Sequence, residues 1–472
     1  MRVSLRRSLL GLALVLWGCA SARGPRVPPK PAPAELRYQV QVDAALAEFQ
    51  VEVCGRLSGA WIAGRAEAHD RLRYARWVGS GPPHAPAIGA GIIELGPDAR
   101  EGCLVYGVSL HEGGSLSAVV ARVGENLLAS PNAFLWRPRR RSPAIVAELR
   151  LKLPEGMRAS LPWAEDNGLY RLQADAFAFD SYAAFGPLSQ LLSVQHGHAD
   201  ASVALLGSLP GLKSVDAEHW LNQALLVASQ SDGRLPARAL QILVVPGQGR
   251  EPFGSVARGG GASVLMLIPE HFDAEKLRRD WVLPHELSHL LLPFVVREDA
   301  WLPEGLATYY QELLRARAGV ISAEEALANL ADGLRSAARE GTGRTLADES
   351  RAMHRTRAYR SVYWGGAGHL LMADVALRRR SHGRETLDGL LSALRAETHG
   401  PSPMSARVAL LRLDALGGGE LFGAIATHSQ AHAFPDFEPT LQALGVDHTG
   451  SLHKVAPLAE LRRALFAPQL IK

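Results

Sequence analysis

Residues 285 to 289 read His-Glu-Leu-Ser-His, and no other five residues restrict the folding of this 472-residue chain as tightly. On a helix, positions four apart lie one turn up on the same face, so both imidazoles can meet one ion. Glu286 is rotated by about 100° from that face. It cannot share the histidines' geometry, but it can lie over a water held there and act as general base. Val282, Leu283, Leu287, Leu290 and Leu291 are apolar, as a buried helix requires. Pro284 suits a first turn, which puts the helix start near Leu283. A chain of this composition yields about 0.03 chance matches to the bare pattern. Two histidines on a surface helix therefore stay an alternative until a third ligand is found.

A catalytic zinc takes three protein ligands and keeps one position open. After His289 comes a polar connector, then Trp301-Leu302-Pro303-Glu304-Gly305-Leu306-Ala307-Thr308-Tyr309-Tyr310. Pro303 suits a helix start and places Glu304 in the first turn, where a carboxylate faces the favourable end of the dipole. The intervening residues let this helix return beside the first. His285, His289 and Glu304 are the expected ligands of one zinc ion per chain, with Thr308 placed to hydrogen-bond a ligand histidine. Glu298 and Asp299 are rival third ligands in the connector. Leu292 and Val295 stand where a metzincin would have glycine and histidine, which excludes that class.

The rest of the chain divides by periodicity. Strand-like alternation runs through Tyr38-Gln39-Val40-Gln41-Val42 and Phe49-Gln50-Val51-Glu52-Val53, with apolar pieces at Ile92-Ile93 and Leu104-Val105-Tyr106. A β-rich domain over 36–175 is expected. Residues 188–206 and 217–229 read as helical, 240–245 and 262–268 as buried strands, and 253–261 as a glycine-rich segment. Helices are expected over 282–292, 303–316, 323–339, 366–380 and 386–395. This gives an α+β chain with a mainly helical catalytic domain over 176–395 and a helical region over 396–472. The exposed edge that a glycine-rich strand offers can pair with an extended peptide, so Gly259, Gly260 and Gly261 are candidate substrate-binding residues; a flexible loop is the competing reading.

The N-terminus reads as an export signal. Arg2, Arg6 and Arg7 precede a short apolar run that is too brief to span a bilayer. Leu16-Trp17-Gly18-Cys19 resembles a lipobox, which implies a lipoprotein signal over 1–18 and lipidation at Cys19. An ordinary secretory signal cut after Ala20 is the alternative. Residues 19–35 form a proline-rich tether, with five prolines between 20 and 34. Ala20 after the cysteine leans toward outer-membrane sorting in the cell envelope. Cys54 and Cys103 are then the remaining pair, and an oxidising compartment favours a disulfide between them. Removing 1–18 takes away three arginines and no acids, which lowers the formal charge from +4 to +1. Nucleic acid is not an expected partner.

The HELSH and WLPEGLATYYQ segments together resemble the gluzincin peptidases. Ser361-Val362-Tyr363-Trp364-Gly365-Gly366-Ala367-Gly368-His369-Leu370-Leu371 resembles the glycyl aminopeptidase family within that clan. The resemblance implies a thermolysin-like catalytic domain behind a β-rich one, a peptide or protein substrate, and Tyr363 as donor to the tetrahedral oxyanion. Two features depart from the family. The interval from His289 to Glu304 is short, and the edge strand whose glutamate binds a substrate's free amine in aminopeptidase N relatives has no glutamate counterpart here. Exopeptidase and endopeptidase action both stay open. So do a non-catalytic envelope lipoprotein that uses the fold as a binding scaffold, and a zinc hydrolase acting on something other than peptides. Oligomeric state leaves no trace in the sequence.

Overall fold

Alternation of period two builds the first half. In the computed structural model, which describes residues 34–469 except 81, 99, 112–119, 141–144, 342, 399–401 and 432–433, the strands Leu36–Val42 and Glu48–Leu57 bury every second side chain. They form the centre of a seven-stranded sheet. Its order is Glu165–Asp166, Leu169–Leu172, Ala147–Lys152, Leu36–Val42, Glu48–Leu57, Arg100–Ser109, Leu72–Gly79. Only the pairing of Leu36–Val42 with Ala147–Lys152 is parallel. Cys54 sits directly opposite Cys103 on neighbouring strands, and the two form a disulfide. Phe49, Phe134 and Phe185 meet edge to face beneath the sheet, with centroids 4.9–5.8 Å apart.

The strand Ala183–Gly186 pairs with both Asn126–Ala129 and Arg158–Ser160. The β-rich part therefore runs to Gly186 rather than ending at 175. Residues 188–206, expected to be helical, form a hairpin instead: Gln190–His196 pairs antiparallel with Ala199–Leu205. Leu192, Val194, Ala199, Ala201 and Val203 alternate, and Gly197 at φ +59° makes the two-residue turn. Sheet pairing outweighed local helix propensity here.

This hairpin opens a five-stranded sheet in the order Gln190–His196, Ala199–Leu205, Ala239–Gly247, Ala262–Pro269, Phe253–Ala257. The central pairs are parallel, and both outer pairs are antiparallel. Phe253–Ala257 is an edge. The helices Ser214–Ser229 and Val282–Ser288 pack on one face of this sheet around Trp220, Leu221, Ile242, Val264 and Leu283.

Beyond it lies a helical body: Trp301–Arg317, Ala323–Arg339, Leu346–Thr356, Tyr359–Arg380 and Leu387–Glu397. The helix Leu346–Thr356, started by Thr345 accepting from the Asp348 amide, has too few apolar residues for periodicity to reveal it. The helices Ala406–Leu413, Leu421–Ala431, Glu438–Leu444 and Ala459–Leu465 contribute Leu410, Phe422, Leu441 and Leu465 to the same core as the helices before them. Residues after 396 are thus part of one body with the helices before them. Among the described residues no helix is long and apolar enough to cross a membrane.

One close approach fixes the helical body. A methyl on Gly305 would collide with the Gly366 backbone, and one on Gly366 with the carbonyl oxygen of Trp301. The two glycines let Trp301–Arg317 and Tyr359–Arg380 pack backbone to backbone, and these helices carry Glu304 and Tyr363.

Candidate metal centre

The helix carrying the His-Glu-Leu-Ser-His run begins at Val282, whose amide is accepted by Asp280 Oδ1 at 2.8 Å. It tightens into a 3₁₀ turn over His289–Leu291. Arg258 closes that end: its guanidinium donates to the carbonyl of Leu292 at 2.6 Å and to that of His289. A partly buried cation at a helix C-terminus offsets the dipole and occupies carbonyls left without helical partners.

Both histidines are buried, at 3% and 7% exposure, and turn their Nε2 atoms toward one carboxylate. Glu304 Oε2 lies 3.3 Å from His285 Nε2 and 3.5 Å from His289 Nε2. Donors that share one tetrahedral zinc at about 2.0–2.1 Å stand about 3.3–3.4 Å apart. Glu304 stands at about that spacing from both histidines, and the three ligand atoms all lie within 4.8 Å of one another. Two imidazole nitrogens and one carboxylate oxygen are also the donor set of catalytic zinc sites.

The charge states of His289 and Glu304 favour ligation, and that of His285 is pulled the other way by the neighbouring carboxylates. Burial pushes His289 down to about 4, which keeps it neutral and able to ligate. Burial opposes the charged form of His285, but the Glu304 hydrogen bond and the charges of Glu286 and Glu304 outweigh it and raise that residue. Burial also works against ionised Glu304, yet both histidines and a hydrogen bond from Tyr363 hold its pKa below the ordinary carboxylate value.

His285 Nδ1 meets Gln311 Oε1 at 2.8 Å. This bond fixes the tautomer, since Nδ1 must carry the proton to donate, and leaves Nε2 free. Gln311 in turn donates to Glu312 at 3.1 Å, and Glu312 is held by Arg315 and Asn329. Thr308, expected in this role, touches neither histidine; its buried hydroxyl has no hydrogen-bond partner among the described residues. The longer side chain one turn further on reaches the ring instead. Glu and Gln recur often enough in amphipathic helices that the sequence carried no signal for Gln311.

Glu286 leaves the helix toward the edge strand. The amide of Val256 donates to it, and Gly254 lies so close that a methyl there would collide with the Glu286 side chain. Burial is the main cause of a pKa pushed up to about 7. Tyr363 lies on the other side, its ring parallel to that of His285 at 5.8 Å and its hydroxyl bonded to Glu304. Burial and the Glu304 charge hold that phenol protonated, as a hydrogen-bond donor must be.

These groups line a cleft of about 700 Å³ bounded by Pro252–Val256, Trp281, Pro293–Val295, His354 and Tyr359. Gly259, Gly260 and Gly261 are not part of it, a correction to the expectation. They form the turn behind the edge strand and pack against Phe179, Asp180, Ala176, Trp163 and Pro162 of the β-rich part. Trp163 Nε1 donates to the Gly259 carbonyl at 2.7 Å. These glycines are small because another backbone approaches them closely. The strand after them, Ala262–Pro269, is paired on both sides, so the free edge belongs to Phe253–Ala257. Glu298 and Asp299 lie in a 3₁₀ turn away from the histidines, and Asp299 Oδ2 is taken by the Ala406 amide at 2.7 Å. Cys19, the signal over 1–18 and the tether up to residue 33 lie outside the described residues.

Comparison with known proteins agrees with this geometry. None of the curated proteins compared matches the sequence. The M61 glycyl aminopeptidase family matches residues 293–366, the interval that holds Glu304 and Tyr363. Among solved structures, an aminopeptidase N family protein from Idiomarina loihiensis superposes with a TM-score of 0.65 at 16% identity, over 87% of this chain and 78% of its own. An M1 zinc metallopeptidase mutant from Deinococcus radiodurans, bound to a Tyr-Ser-Ala substrate, gives 0.53 at 18% identity, over 85% and 94%. The chain therefore has the α+β fold of the aminopeptidase N family proteins, and over 293–366 it resembles the M61 glycyl aminopeptidases, a likeness to gluzincin-type peptidases in both fold and sequence.

Proposed function

We propose that this chain is a zinc-dependent peptidase in which His285, His289 and Glu304 hold the metal and Glu286 is the general base. The observation that carries this reading is the meeting of three ligand atoms within 4.8 Å of one another, with Glu286 and Tyr363 beside them in one cleft. Zinc bound there would polarise a carbonyl and acidify a water. Glu286 accepts the proton of the attacking water and returns it to the leaving amine. Tyr363 donates to the oxygen on which charge develops. Apart from the Val256 amide, which Glu286 holds, the amides and carbonyls of Phe253–Ala257 that face away from the sheet pair with the substrate main chain and hold it extended beside Glu286.

Glu286→Gln is the direct test. The variant should fold, keep about one zinc per chain, and lose about a thousandfold or more in kcat on peptide substrates. Full activity in that variant would remove the mechanism. A binding scaffold without catalysis would show no chelator-sensitive cleavage in either form. Both Glu286 and Tyr363 stand where chemistry needs them, which favours the enzymatic reading over the scaffold.

We propose further that the enzyme works in the cell envelope, exported and lipid-anchored through Cys19. The short apolar run, the Leu16–Cys19 tetrad and the proline-rich segment after it support this placement.

A further inference from the structure

Among the described residues that line the cleft, the only acids are Glu286 and Glu304. The mechanism commits both, one to water and one to the metal. A substrate's free α-ammonium, once drawn out of water, needs a carboxylate of its own, because an unpaired cation in a half-buried site is costly. Glu251 and Asp280 are the acids next in sequence, and neither lines the cleft. Glu251 is exposed ahead of Pro252, and Asp280 is engaged with the Val282 amide. The edge strand offers Gly254, Ser255, Val256 and Ala257, and then the cation Arg258.

The rim is aromatic. Phe253, Trp281, Phe294 and Tyr359 all line the cleft while remaining 61%, 44%, 41% and 40% exposed. Large apolar side chains clustered at a solvent boundary mark a binding surface. They also stand on both sides of the chemistry. Trp281 precedes and Phe294 follows the helical segment from Val282 to Leu291, which rises about 15 Å. Glu286 lies between them in the chain, so the cleft lining carries an aromatic residue on each side of it along this segment.

We infer that the site takes interior segments of extended polypeptide bearing bulky apolar side chains and cleaves them without recognising a free amino terminus. This rests on the peptidase reading above. Main-chain pairing along Phe253–Ala257 is indifferent to where the segment lies in its own chain, and the aromatic rim supplies selectivity for side chains on either side of the scissile bond.

The test uses the zinc-loaded full chain and one internally quenched peptide with aromatic residues flanking its centre, prepared with a free and with an acetylated N-terminus. Products are read by mass spectrometry. Internal cleavage of both forms is expected, with kcat/KM within about threefold. A loss of about tenfold or more on acetylation, or stepwise release of single residues from the free terminus, overturns the inference and leaves the peptidase reading standing. No chelator-sensitive cleavage of either form overturns both. Phe253→Ala should lower kcat/KM about tenfold on the aromatic peptide and less than about twofold on its alanine counterpart. Equal losses on the two would remove the side-chain selectivity.

Discussion

The contact behind His285 is the one on which the proposed zinc binding depends most. Gln311 touches no substrate, yet its 2.8 Å bond to His285 Nδ1 decides which imidazole nitrogen is free and where the ring points. Without it, His285 can take the other tautomer or turn away. Gln311→Ala should therefore weaken zinc binding by about 10–100-fold, as loss of a partner behind a ligand histidine commonly does. Chelator competition on the folded protein measures this. Unchanged affinity would mean that Trp281, packed edge-on against the same ring at 5.6 Å, and Tyr363, stacked on it at 5.8 Å, position it without Gln311. The three side chains that meet here were legible in the sequence because metal chemistry demands particular residue types at fixed helical spacings. Gln311 was not, because many residues could have met that ring and spacing alone does not choose among them. Thr308 was the reasonable expectation, one turn after Glu304, and it failed only because its side chain is too short.

At the scale of elements, two joints hold the site, and each yields a measurable consequence. The first is the glycine contact between Trp301–Arg317 and Tyr359–Arg380. Gly366→Ala sets a methyl against the backbone of Trp301 and Gly305, which cannot yield as a flexible side chain would. It should cost about 1–3 kcal/mol in stability. Activity should fall by about a hundredfold, because Glu304 and Tyr363 would shift relative to one another. Gly89→Ala, where a methyl meets nothing within 4 Å, is the control and should stay within about 0.5 kcal/mol. Equal behaviour of the two variants would refute the joint.

The second joint is Asp280, which accepts from the Val282 amide where the metal helix begins. Burial pushes its carboxyl up to about 6 from 3.8. The sign follows from that rise. Below the unfolded value both states are protonated and Asp280 costs nothing; as pH climbs from about 4 to about 6, only the unfolded chain ionises freely and stability falls. Asp280→Asn keeps the acceptor oxygen and removes the charge. It should match the parent at pH 4 and exceed it by roughly 2–3 kcal/mol at pH 8. Urea unfolding at the two pH values checks this, and an equal difference at both would contradict it. Strand and helix types were mostly readable from periodicity. The hairpin over Gln190–His196 and Ala199–Leu205 was not, because its alternation is interrupted by small and polar residues and only the sheet on which it lies decides its form.

At the scale of the whole molecule, the division into domains is softer than the composition shift along the sequence implies. The triple glycine at 259–261 belongs to the catalytic sheet but exists to receive Trp163 and Pro162 from the β-rich part. Tyr182 reaches Ser255 on the edge strand at 3.1 Å. The β-rich part thus buttresses the strand that would hold substrate, and the Cys54–Cys103 disulfide ties that part's central sheet together. A disulfide closing a loop of this size is worth about 4 kcal/mol where the environment lets it form, which requires export. The proposed export signal and anchor lie in residues before the body begins, so they can be separated from catalysis. Cys19→Ser should leave purified enzyme with unchanged kcat/KM on soluble peptides and an intact disulfide. The protein should move from the membrane fraction to the soluble envelope fraction, because the proposed lipid chain would contribute about 0.8 kcal/mol per buried methylene and no helix among the described residues is long and apolar enough to cross a bilayer. Retention of the variant on membranes after a high-salt wash would show that the folded body itself binds the surface, and the anchor at Cys19 would then be unnecessary.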